Sequence, residues 1–303
     1  MSSRTLAYLR LMRLPTVFTA LADIFLGFLL THPSLMSEVD PKLLPRFLLL
    51  CLSSAGLYLS GMVFNDYFDR SIDTAERPNR PIPCGAISAE SAKRLAVVLM
   101  LIGIVAAGLA GVPSLVVAVS LSVMILGYDG GLKNTPLGPL AMGSCRFGNV
   151  LLGASAVAAL ADLDSKTLLI AAGLGTYIVG VTMFAKQEAT VSRRSALIAA
   201  ACVINAGVLG LAYFVNQSAL WDNRFRALGV LVVVLVTLNR RLTSAISNPE
   251  PQRVQLAIKG LLLSLVMLDA TLIYAFNGNE QLAMATVALL IPAIGFSRLI
   301  AMT

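Results

Sequence analysis

Residues 44–81 read LPRFLLLCLSSAGLYLSGMVFNDYFDRSIDTAERPNRP, an apolar segment that runs directly into a polar one. The first part, residues 44–66, is long enough to cross the hydrocarbon core of a bilayer as an α-helix, which takes about 20 mostly apolar residues. The second part begins at Asn65 and carries acidic and basic side chains together. The sequence therefore predicts a membrane helix that ends in a charged segment at the bilayer surface.

Composition extends this prediction to the whole chain. Of its 303 residues, 57% are hydrophobic and 13% are charged, and the mean hydropathy is +0.82. Soluble domains carry about 45–50% apolar and about 25% charged residues, and disordered chains combine low hydrophobicity with high charge. The composition therefore excludes both classes and indicates a polytopic membrane protein surrounded by membrane lipid.

Ten apolar stretches are candidate membrane helices. Because they are long and continuous, without the period-2 alternation of a transmembrane β-strand, the predicted fold class is all-α. We expect a polytopic helical bundle of nine to ten transmembrane helices in a single domain, residues 1–303, since no long linker divides the chain. The candidate stretches are 15–32, 44–66, 95–111, 114–128, 138–160, 167–186, 195–216, 225–244, 256–276 and 281–302.

The distribution of basic residues predicts the orientation. The chain has 23 Lys and Arg residues against 16 Asp and Glu residues, a net charge of +7. With the N-terminus in the cytoplasm, most of the basic residues fall in cytoplasmic segments, as the positive-inside rule requires. We therefore expect an integral protein of the plasma (inner) membrane with a cytoplasmic N-terminus. No nucleic-acid partner is expected, because no basic face alternates with stacking aromatic residues.

The acidic residues of the polar segment have helical spacing. At about 100° per residue, and with Asn65 at zero, Asp69, Asp73 and Asp66 lie at about 40°, 80° and 100° on a helical wheel. Carboxylates so close together repel one another unless a cation lies between them. Hard oxygen ligands suit Mg²⁺, which also binds the phosphate groups of substrates. The spacing favours a metal site on these four side chains.

The same segment carries guanidinium groups. Arg70, Arg77 and Arg80 follow the acidic residues, and guanidinium groups bind phosphate through paired hydrogen bonds. The alternative interpretation is a solvated helix end. Carboxylates for a metal beside cations for phosphate favour a diphosphate site at the membrane surface.

Several stretches resemble one family. The run NDYFDRSID, residues 65–73, resembles the first aspartate-rich motif, NDxxDxxxD, of the UbiA superfamily of intramembrane prenyltransferases, and ERPNRPIPCGAIS resembles its continuation. The N-terminal LRLMRLPTVFTALADIFLG is similar to the first helix of that family. Tyr128 with Lys133 and Thr135 resembles its Tyr-x-x-x-Lys element, with one more residue between the tyrosine and the lysine, and MGSCRFGNVLLGAS resembles the EboC-like subgroup.

The resemblance implies a function. It implies about nine transmembrane helices around a central cavity, and a prenyltransferase that uses Mg²⁺ to transfer an isoprenoid from a prenyl diphosphate to a lipophilic acceptor, often an aromatic ring. The three aspartates of the first motif would be catalytic. The metal ligands would be Asn65, Asp66, Asp69 and Asp73, and the substrate-binding residues Asn65, Arg70, Arg77, Tyr128 and Lys133.

The chain departs from the family at the second aspartate-rich motif. Residues 184–194 read FAKQEATVSRR, in which Glu188 is the only acidic residue and Lys186 stands where an aspartate is expected. In one interpretation, Lys186 replaces the charge of one metal and a single Mg²⁺ binds at the first motif. In the other, the protein is a non-catalytic prenyl-lipid-binding or transport component. Both keep Lys186 and Glu188 as substrate-binding candidates. A secondary transporter fits less well, because the charges cluster at one end of the spans.

Three ionisable residues lie within predicted spans. A charged side chain costs free energy in hydrocarbon, and such residues usually face a cavity or a charged partner. The three residues are Asp23, Arg146 and Asp269. Arg146 either contacts the donor or acceptor, or forms a structural ion pair with Asp23 or Asp269, and the sequence leaves both open. Small residues allow helices to pack closely. Close helix packing is predicted at Gly143, Gly148 and Gly153.

Overall fold

The computed structural model describes residues 3–33, 43–157, 159–186, 188, 191–218 and 221–299, which form helices and connecting turns without a β-strand. Short 3₁₀ turns occur at Leu14–Thr16, Leu132–Asn134 and Leu160–Asp162. The α-helices are α1 (Ser3–Leu11), α2 (Val17–Thr31), α3 (Leu43–Phe68), α4 (Arg70–Glu76), α5 (Ala89–Ala110), α6 (Val112–Gly130), α7 (Gly138–Ala154), α8 (Ser165–Ala185), α9 (Arg194–Ser218), α10 (Trp221–Ser247), α11 (Pro251–Asn277), α12 (Glu280–Ala288) and α13 (Leu290–Leu299).

The long helices form a closed ring. Each packs against the next in chain order from α2 and α3 through α5 to α11, and α11 packs against α2. Buried apolar side chains form two clusters, one centred on α8 to α11 and the other on α3, α5 and α6. The central helices α2 and α7 contribute to both clusters, and so join the two halves of the bundle.

The apolar helices confirm the membrane class. Nine helical segments of the described chain are long and apolar enough to cross a bilayer. Large apolar side chains also point outward, as at Leu109 and Val112, which are 71% and 74% exposed. A surface of this kind is compatible with hydrocarbon and not with water. The chain is therefore an integral membrane protein.

The predicted fifth span, 138–160, is shorter in the structure. Its helix, α7, has 17 residues and ends at Ala154, after which the chain turns at Ser155. At about 1.5 Å per residue it is about 26 Å long, at the lower limit for a spanning helix. The helices α2, α6 and α8 pack around α7, which is therefore part of the bundle. It is not one of the nine helical segments that are long and apolar enough to cross a bilayer. The predicted last span, 281–302, corresponds to α12 and α13, which are separated at Leu289.

Caps and one glycine fix the turns between helices. Ser88 accepts a hydrogen bond from the Ser91 amide at 3.2 Å, and Asp164 accepts one from the Thr167 amide at 2.8 Å, so that α5 and α8 begin where these side chains satisfy free N–H groups. Gly111 alone separates α5 from α6. Its φ of 154° lies in a region that L side chains rarely adopt, which explains glycine at this sharp turn.

The predicted close packing at the α7 glycines is confirmed. A Cβ atom at Gly143 would lie 2.7 Å from the Gly175 carbonyl oxygen of α8, and one at Gly153 would lie 2.7 Å from the Ile24 carbonyl oxygen of α2. At Gly148 a Cβ would meet the side chain of Leu121 on α6. Small residues at these positions let α8 and α2 approach α7 at backbone distance and leave room for the Leu121 side chain of α6.

We expect Gly153→Ala to lower the stability of the bundle by about 1–3 kcal/mol, because the added methyl group would press on the backbone of α2 and force the two helices apart. Thermal unfolding in detergent micelles would measure this. Gly210→Ala in α9 is the matched control, since a Cβ there meets nothing within 4 Å. An equal loss in both variants would contradict the packing argument.

Candidate active site at the polar rim

The predicted polar segment lies at the end of the bundle where α2 begins and α3 ends. Asp69 forms a turn between α3 and α4, yet its amide bonds to the Asn65 carbonyl at 3.0 Å and the Asp73 amide bonds to the Asp69 carbonyl at 2.8 Å. The helical hydrogen-bond pattern therefore continues across the turn. We use the name polar rim for Arg13, residues 65–80 and residues 128–133.

A buried ion-pair cluster forms the inner part of the rim. Arg80 bridges two carboxylates, with Nη1 at 2.6 Å from Asp73 Oδ2 and 3.2 Å from Asp66 Oδ1. Arg13 Nη2 lies 2.9 Å from the same Asp66 oxygen. Arg80, Asp66 and Asp73 are all buried. Two guanidinium groups thus balance two carboxylates that water hardly reaches.

A second, more open group connects α3 with α6. Asn65 Nδ2 donates to Asp129 Oδ1 at 3.0 Å. Lys133 Nζ lies 2.7 Å from Asp69 Oδ1 and 3.9 Å from Asp129 Oδ1. The Asp69 side chain is 23% exposed, which makes it the most accessible carboxylate of the two groups. An amide, two carboxylates and an ammonium group therefore meet at the outer part of the rim.

These contacts divide the helical face that the sequence predicts. Asn65 and Asp69, at about 0° and 40° on the wheel, both turn toward α6 and Lys133. Asp66 and Asp73, at about 100° and 80°, both turn toward Arg80. The structure thus brings the four predicted ligands together in two pairs, each of which already has a cation.

Arg13 has an unusual backbone. Its φ of 45° and ψ of 47° place it in the left-handed region, and it is the only non-glycine residue with positive φ in the described part of the chain. Such conformations persist where surrounding contacts hold them, and they cluster at functional sites. Burial lowers the pKa of Arg13, but the charge and hydrogen bond of Asp66 raise it more, so the net pKa is above its ordinary value. Arg13 is a permanent cation of the rim.

Arg77 and Glu188, both predicted to bind substrate, form an ion pair. Arg77 Nη2 lies 3.1 Å from Glu188 Oε1, which connects the polar segment to the chain after α8. Arg70 behaves differently: it is exposed, donates to the Tyr67 carbonyl at 2.8 Å and lies over the Tyr67 ring. The Arg70 side chain therefore turns back toward the end of α3.

The other predicted residues lie at three different places. Tyr128 is half-buried beside Asp129 near the end of α6. Lys186 is exposed at the end of α8, and positions 187, 189 and 190 of the degenerate motif lie outside the described residues. Arg146 lies inside the bundle, where its Nε is 2.8 Å from Asp23 Oδ2. The ion pair with Asp23, one of the open alternatives for Arg146, is therefore present.

The donor set of the outer rim fits magnesium chemically. No three acidic, histidine or cysteine side chains converge on a common point in the described residues. However, Mg²⁺ usually takes one or two carboxylates and completes its coordination with water and substrate phosphate. Asp69 and Asp129 are two such carboxylates, and Asn65, near the end of α3, donates to Asp129. In the inner cluster, Asp66 and Asp73 are occupied by Arg80, so a metal there would have to displace a buried guanidinium group.

Sequence reasoning missed two rim residues. Asp129 directly follows Tyr128 in the element YDGGLK, and its acidity beside the predicted tyrosine was the available signal. Arg13 lies in LRLMRLP at the start of the first span. Basic residues are common at the cytoplasmic end of any membrane helix, so its charge alone did not indicate a role in the site.

Two cavities lie away from the rim. The larger, about 330 Å³, is an aliphatic groove on the outer face between α3 and α5, lined by residues such as Leu52 and Val105. The smaller, about 70 Å³, lies at the opposite end of the bundle between Pro33, Lys166 and Asn277. Neither contains a rim residue.

The sequence matches a known family and known relatives. Residues 20–190 match the model of the UbiA prenyltransferase family. A digeranylgeranylglyceryl phosphate synthase from Sulfurisphaera tokodaii is 34% identical over 122 residues, which is 40% of this chain and 41% of that protein. Two further relatives of the same name, each 35% identical, match over 43% and 44% of their lengths. The matched stretch thus spans less than half the length of these relatives.

Solved structures share the fold. A UbiA homologue from Archaeoglobus fulgidus, bound to GPP and Mg²⁺, has a TM-score of 0.60 at 14% identity and covers 93% of this chain and 99% of that one. The apo structure of a UbiA homologue from Aeropyrum pernix K1 has a TM-score of 0.61 at 17% identity, with 84% and 96% covered. At these identities the likeness concerns the fold.

Proposed function

This chain belongs to the UbiA prenyltransferase family, and on that premise we propose that it transfers an isoprenoid group from a prenyl diphosphate to a lipophilic acceptor within the membrane, with Mg²⁺ as cofactor. The family model and the relatives named as synthases support a transferase of alkyl groups. The structural neighbour that binds GPP and Mg²⁺ supports the donor and the metal.

One observation in this chain carries the proposal. Lys133 joins the partly exposed Asp69 to the buried Asp129 at one end of an apolar helical bundle. Carboxylates that hold a metal, beside an ammonium group that holds phosphate, are the groups that a prenyl diphosphate headgroup requires. The apolar bundle beneath them suits the isoprenoid tail.

The roles of the residues follow from their positions. Asp69 and Asp129, with Asn65, would hold the metal, which when bound would supply positive charge at the diphosphate leaving group. In this proposal Lys133 exchanges Asp69 for the phosphate oxygens, and Arg77, now paired with Glu188, supplies a second cation. The apolar helices keep water from the reacting carbon once the C–O bond to the diphosphate breaks.

The inner cluster acts as a scaffold in this proposal. Because Arg80 joins Asp66 to Asp73 across the turn at Asp69, it fixes the angle at which Asp69 leaves the helix. Asp66 and Asp73, predicted as metal ligands, contribute to the metal site through this support. Their buried ion pairs favour a positioning role over direct coordination.

The orientation belongs to the same proposal. The rim carries five of the chain's 23 basic residues, and the positive-inside rule favours a rim on the cytoplasmic side of the plasma membrane, with the N-terminus. In this orientation the diphosphate headgroup binds at the cytoplasmic surface, while the isoprenoid tail and the acceptor enter from the bilayer.

A non-catalytic prenyl-lipid-binding component is the second candidate. It is favoured by Lys186, which is exposed where a second aspartate-rich motif would begin, and by Glu188, whose carboxylate is held by Arg77. Such a protein would bind the donor without breaking its C–O bond.

We expect purified protein in lipid nanodiscs, given radiolabelled prenyl diphosphate and a membrane lipid extract as the source of acceptor, to form a labelled lipid and release pyrophosphate. Chelating Mg²⁺ with EDTA should lower the rate by about 100-fold, because a metal at a leaving group contributes several kcal/mol. Restoring Mg²⁺ is the control. Binding of the diphosphate without any release of pyrophosphate would favour the second candidate.

A further inference from the structure

The turn between α10 and α11 lies at the same end of the bundle as the polar rim. Gln255, near the start of α11, donates to the Glu188 carbonyl at 3.3 Å, and the Glu188 side chain pairs with Arg77 of the rim. In the same region the Ser192 amide donates to the Pro249 carbonyl at 3.2 Å. The end of α10 and the start of α11 therefore lie at the membrane surface that carries the rim.

Three exposed arginines lie where these two helices meet. Arg240 and Arg241 belong to the last two turns of α10, and Arg253 belongs to the first turn of α11. Arg253 Nη1 donates to Ser244 Oγ at 3.4 Å, which joins the two helices at this point. We use the name basic junction for the three arginines together with Ser244 and Gly260.

Gly260 fixes the position of one of the arginines. A Cβ atom at Gly260 would lie 2.8 Å from both Cδ and Cζ of Arg241, a distance that real Cβ atoms do not tolerate. The Arg241 side chain therefore lies directly on the backbone of α11, which only a small residue permits. Packing between the helices thus holds a guanidinium group that remains open to the surroundings of the protein.

The cations of the basic junction have no acidic partner in the described ranges. Arg240 and Arg241 make neither a hydrogen bond nor an ion pair with a described residue, and the Arg253 side chain has only the neutral Ser244. Glu250, on the intervening turn, pairs with none of the three. The rim differs, because carboxylates lie beside its cations Arg13, Arg77, Arg80 and Lys133. Three positive charges at the junction thus lack counterions from the described chain.

An apolar surface leads up to the basic junction. Val233 and Val236 lie two turns and one turn before Arg240 on α10, and positions four and seven apart share one face of a helix. Leu256 lies one turn after Arg253 on α11. All three apolar side chains are more than half exposed, so that they face hydrocarbon in a bilayer. The surface therefore offers contacts for acyl chains directly beneath the three cations.

We propose that the basic junction binds the phosphate group of an anionic phospholipid, whose acyl chains lie along the apolar surface. Guanidinium groups bind phosphate oxygens through paired hydrogen bonds. Basic sites between membrane helices at the cytoplasmic surface suit anionic headgroups. A zwitterionic lipid carries the same phosphate but adds an ammonium group, which three cations repel. This site is independent of the proposed function, because no residue of the junction belongs to the polar rim.

Two features go beyond ordinary topology. The positive-inside rule accounts for arginines at this end of the helices, but it requires neither a fixed guanidinium on Gly260 nor the absence of acidic partners. The exposed valines and Leu256 next to the arginines favour a lipid over an acidic protein, since a soluble partner would leave this apolar surface uncovered.

The test compares two lipids with the same acyl chains. We expect the delipidated full-length protein in a non-ionic detergent to bind dioleoyl phosphatidylglycerol about 10-fold more tightly than dioleoyl phosphatidylcholine, as measured by native mass spectrometry over a lipid titration. Arg241→Gln should weaken binding of phosphatidylglycerol about 5-fold, the contribution of one arginine near an anionic headgroup, and leave phosphatidylcholine unchanged. Arg94→Gln is the matched control, because it removes an exposed guanidinium at the same end that already pairs with Glu90.

A second variant changes no charge. Gly260→Ala should displace the flexible Arg241 side chain from α11 without unfolding the helix pair, and should weaken phosphatidylglycerol binding by about 2- to 5-fold. Gly229→Ala, in the other half of α10, is its control, since a Cβ there meets nothing within 4 Å. Unfolding temperatures check that all four variants are folded.

Three results would overturn the assignment. The first is equal affinity of the wild type for the two lipids. The second is a loss of phosphatidylglycerol binding in Arg241→Gln no larger than that in Arg94→Gln. The third is displacement of the bound lipid by an equal concentration of glycerophosphoglycerol, the same headgroup without acyl chains, because the ligand would then be a soluble phosphate ester rather than a lipid.

Discussion

Asp69→Asn is expected to lower the rate of prenyl transfer by about 100-fold or more, with little change in protein stability. The substitution keeps the size of the side chain and removes the charge that we assign to the metal, which is worth several kcal/mol at a leaving group. Asp69 is the most accessible carboxylate of the two rim groups, and its partner Lys133 keeps a second carboxylate, Asp129, at 3.9 Å, so the substitution leaves no buried charge without a partner. The rate should be measured with labelled prenyl diphosphate over a range of Mg²⁺ concentrations, together with the unfolding temperature.

Glu76→Gln provides the matched control. Glu76 is an exposed acid at the end of α4, on the same segment, and lies outside both rim groups, so its neutralisation should leave the rate and the Mg²⁺ requirement unchanged. Undiminished transfer by Asp69→Asn at the wild-type Mg²⁺ requirement would refute the assignment of Asp69. A parallel fall in both variants would point instead to the general charge of the surface.

We expect Arg80→Met to lower the free energy of unfolding by about 3–5 kcal/mol. Methionine keeps most of the volume but leaves Asp73 as a buried carboxylate without its cation, and removes one of two cations from Asp66. Removing one partner of a buried ion pair costs far more than the pair itself contributes, because the other charge stays desolvated. Thermal unfolding in detergent micelles measures this effect directly.

Two further variants separate charge from packing. Arg94→Met removes a guanidinium whose side chain is 77% exposed in a pair with Glu90, and it should change stability by less than about 1 kcal/mol. The double variant of Arg80→Met with Asp73→Asn should recover part of the loss, since the unpaired carboxylate is then gone. If the double variant were as unstable as Arg80→Met alone, lost packing rather than unpaired charge would explain the result.

The membrane fold was predictable because apolar content is a local property. Each long run of aliphatic residues predicts its own helix, since hydrocarbon forces backbone hydrogen bonds to be satisfied within the segment. The predictions for α3, α8 and α11 agree with the structure to within a few residues at most ends. The prediction was wrong at the end of α7, which stops at Ala154 although the apolar residues continue into the following turn. Hydropathy alone does not indicate where a helix ends.

The site was predictable only in part. The motif in residues 65–73 indicated carboxylates and their helical spacing, and even the wheel angles separate Asn65 and Asp69 from Asp66 and Asp73. The residues that each of these four side chains contacts could not be predicted from the motif. Arg13 and Asp129 come from stretches far away in the chain, and only folding brings them to the rim.

By itself, the sequence determined the environment of this protein, its helices and the family to which it belongs, because those depend on composition, periodicity and short motifs. Only the tertiary structure decided which carboxylate is buried against Arg80, which one stays partly exposed beside Lys133, and that Asp23 pairs with Arg146 inside the bundle. The physical reason is that burial and pairing are properties of side chains from different helices, and a carboxylate in hydrocarbon depends for its chemistry on the neighbours that packing gives it.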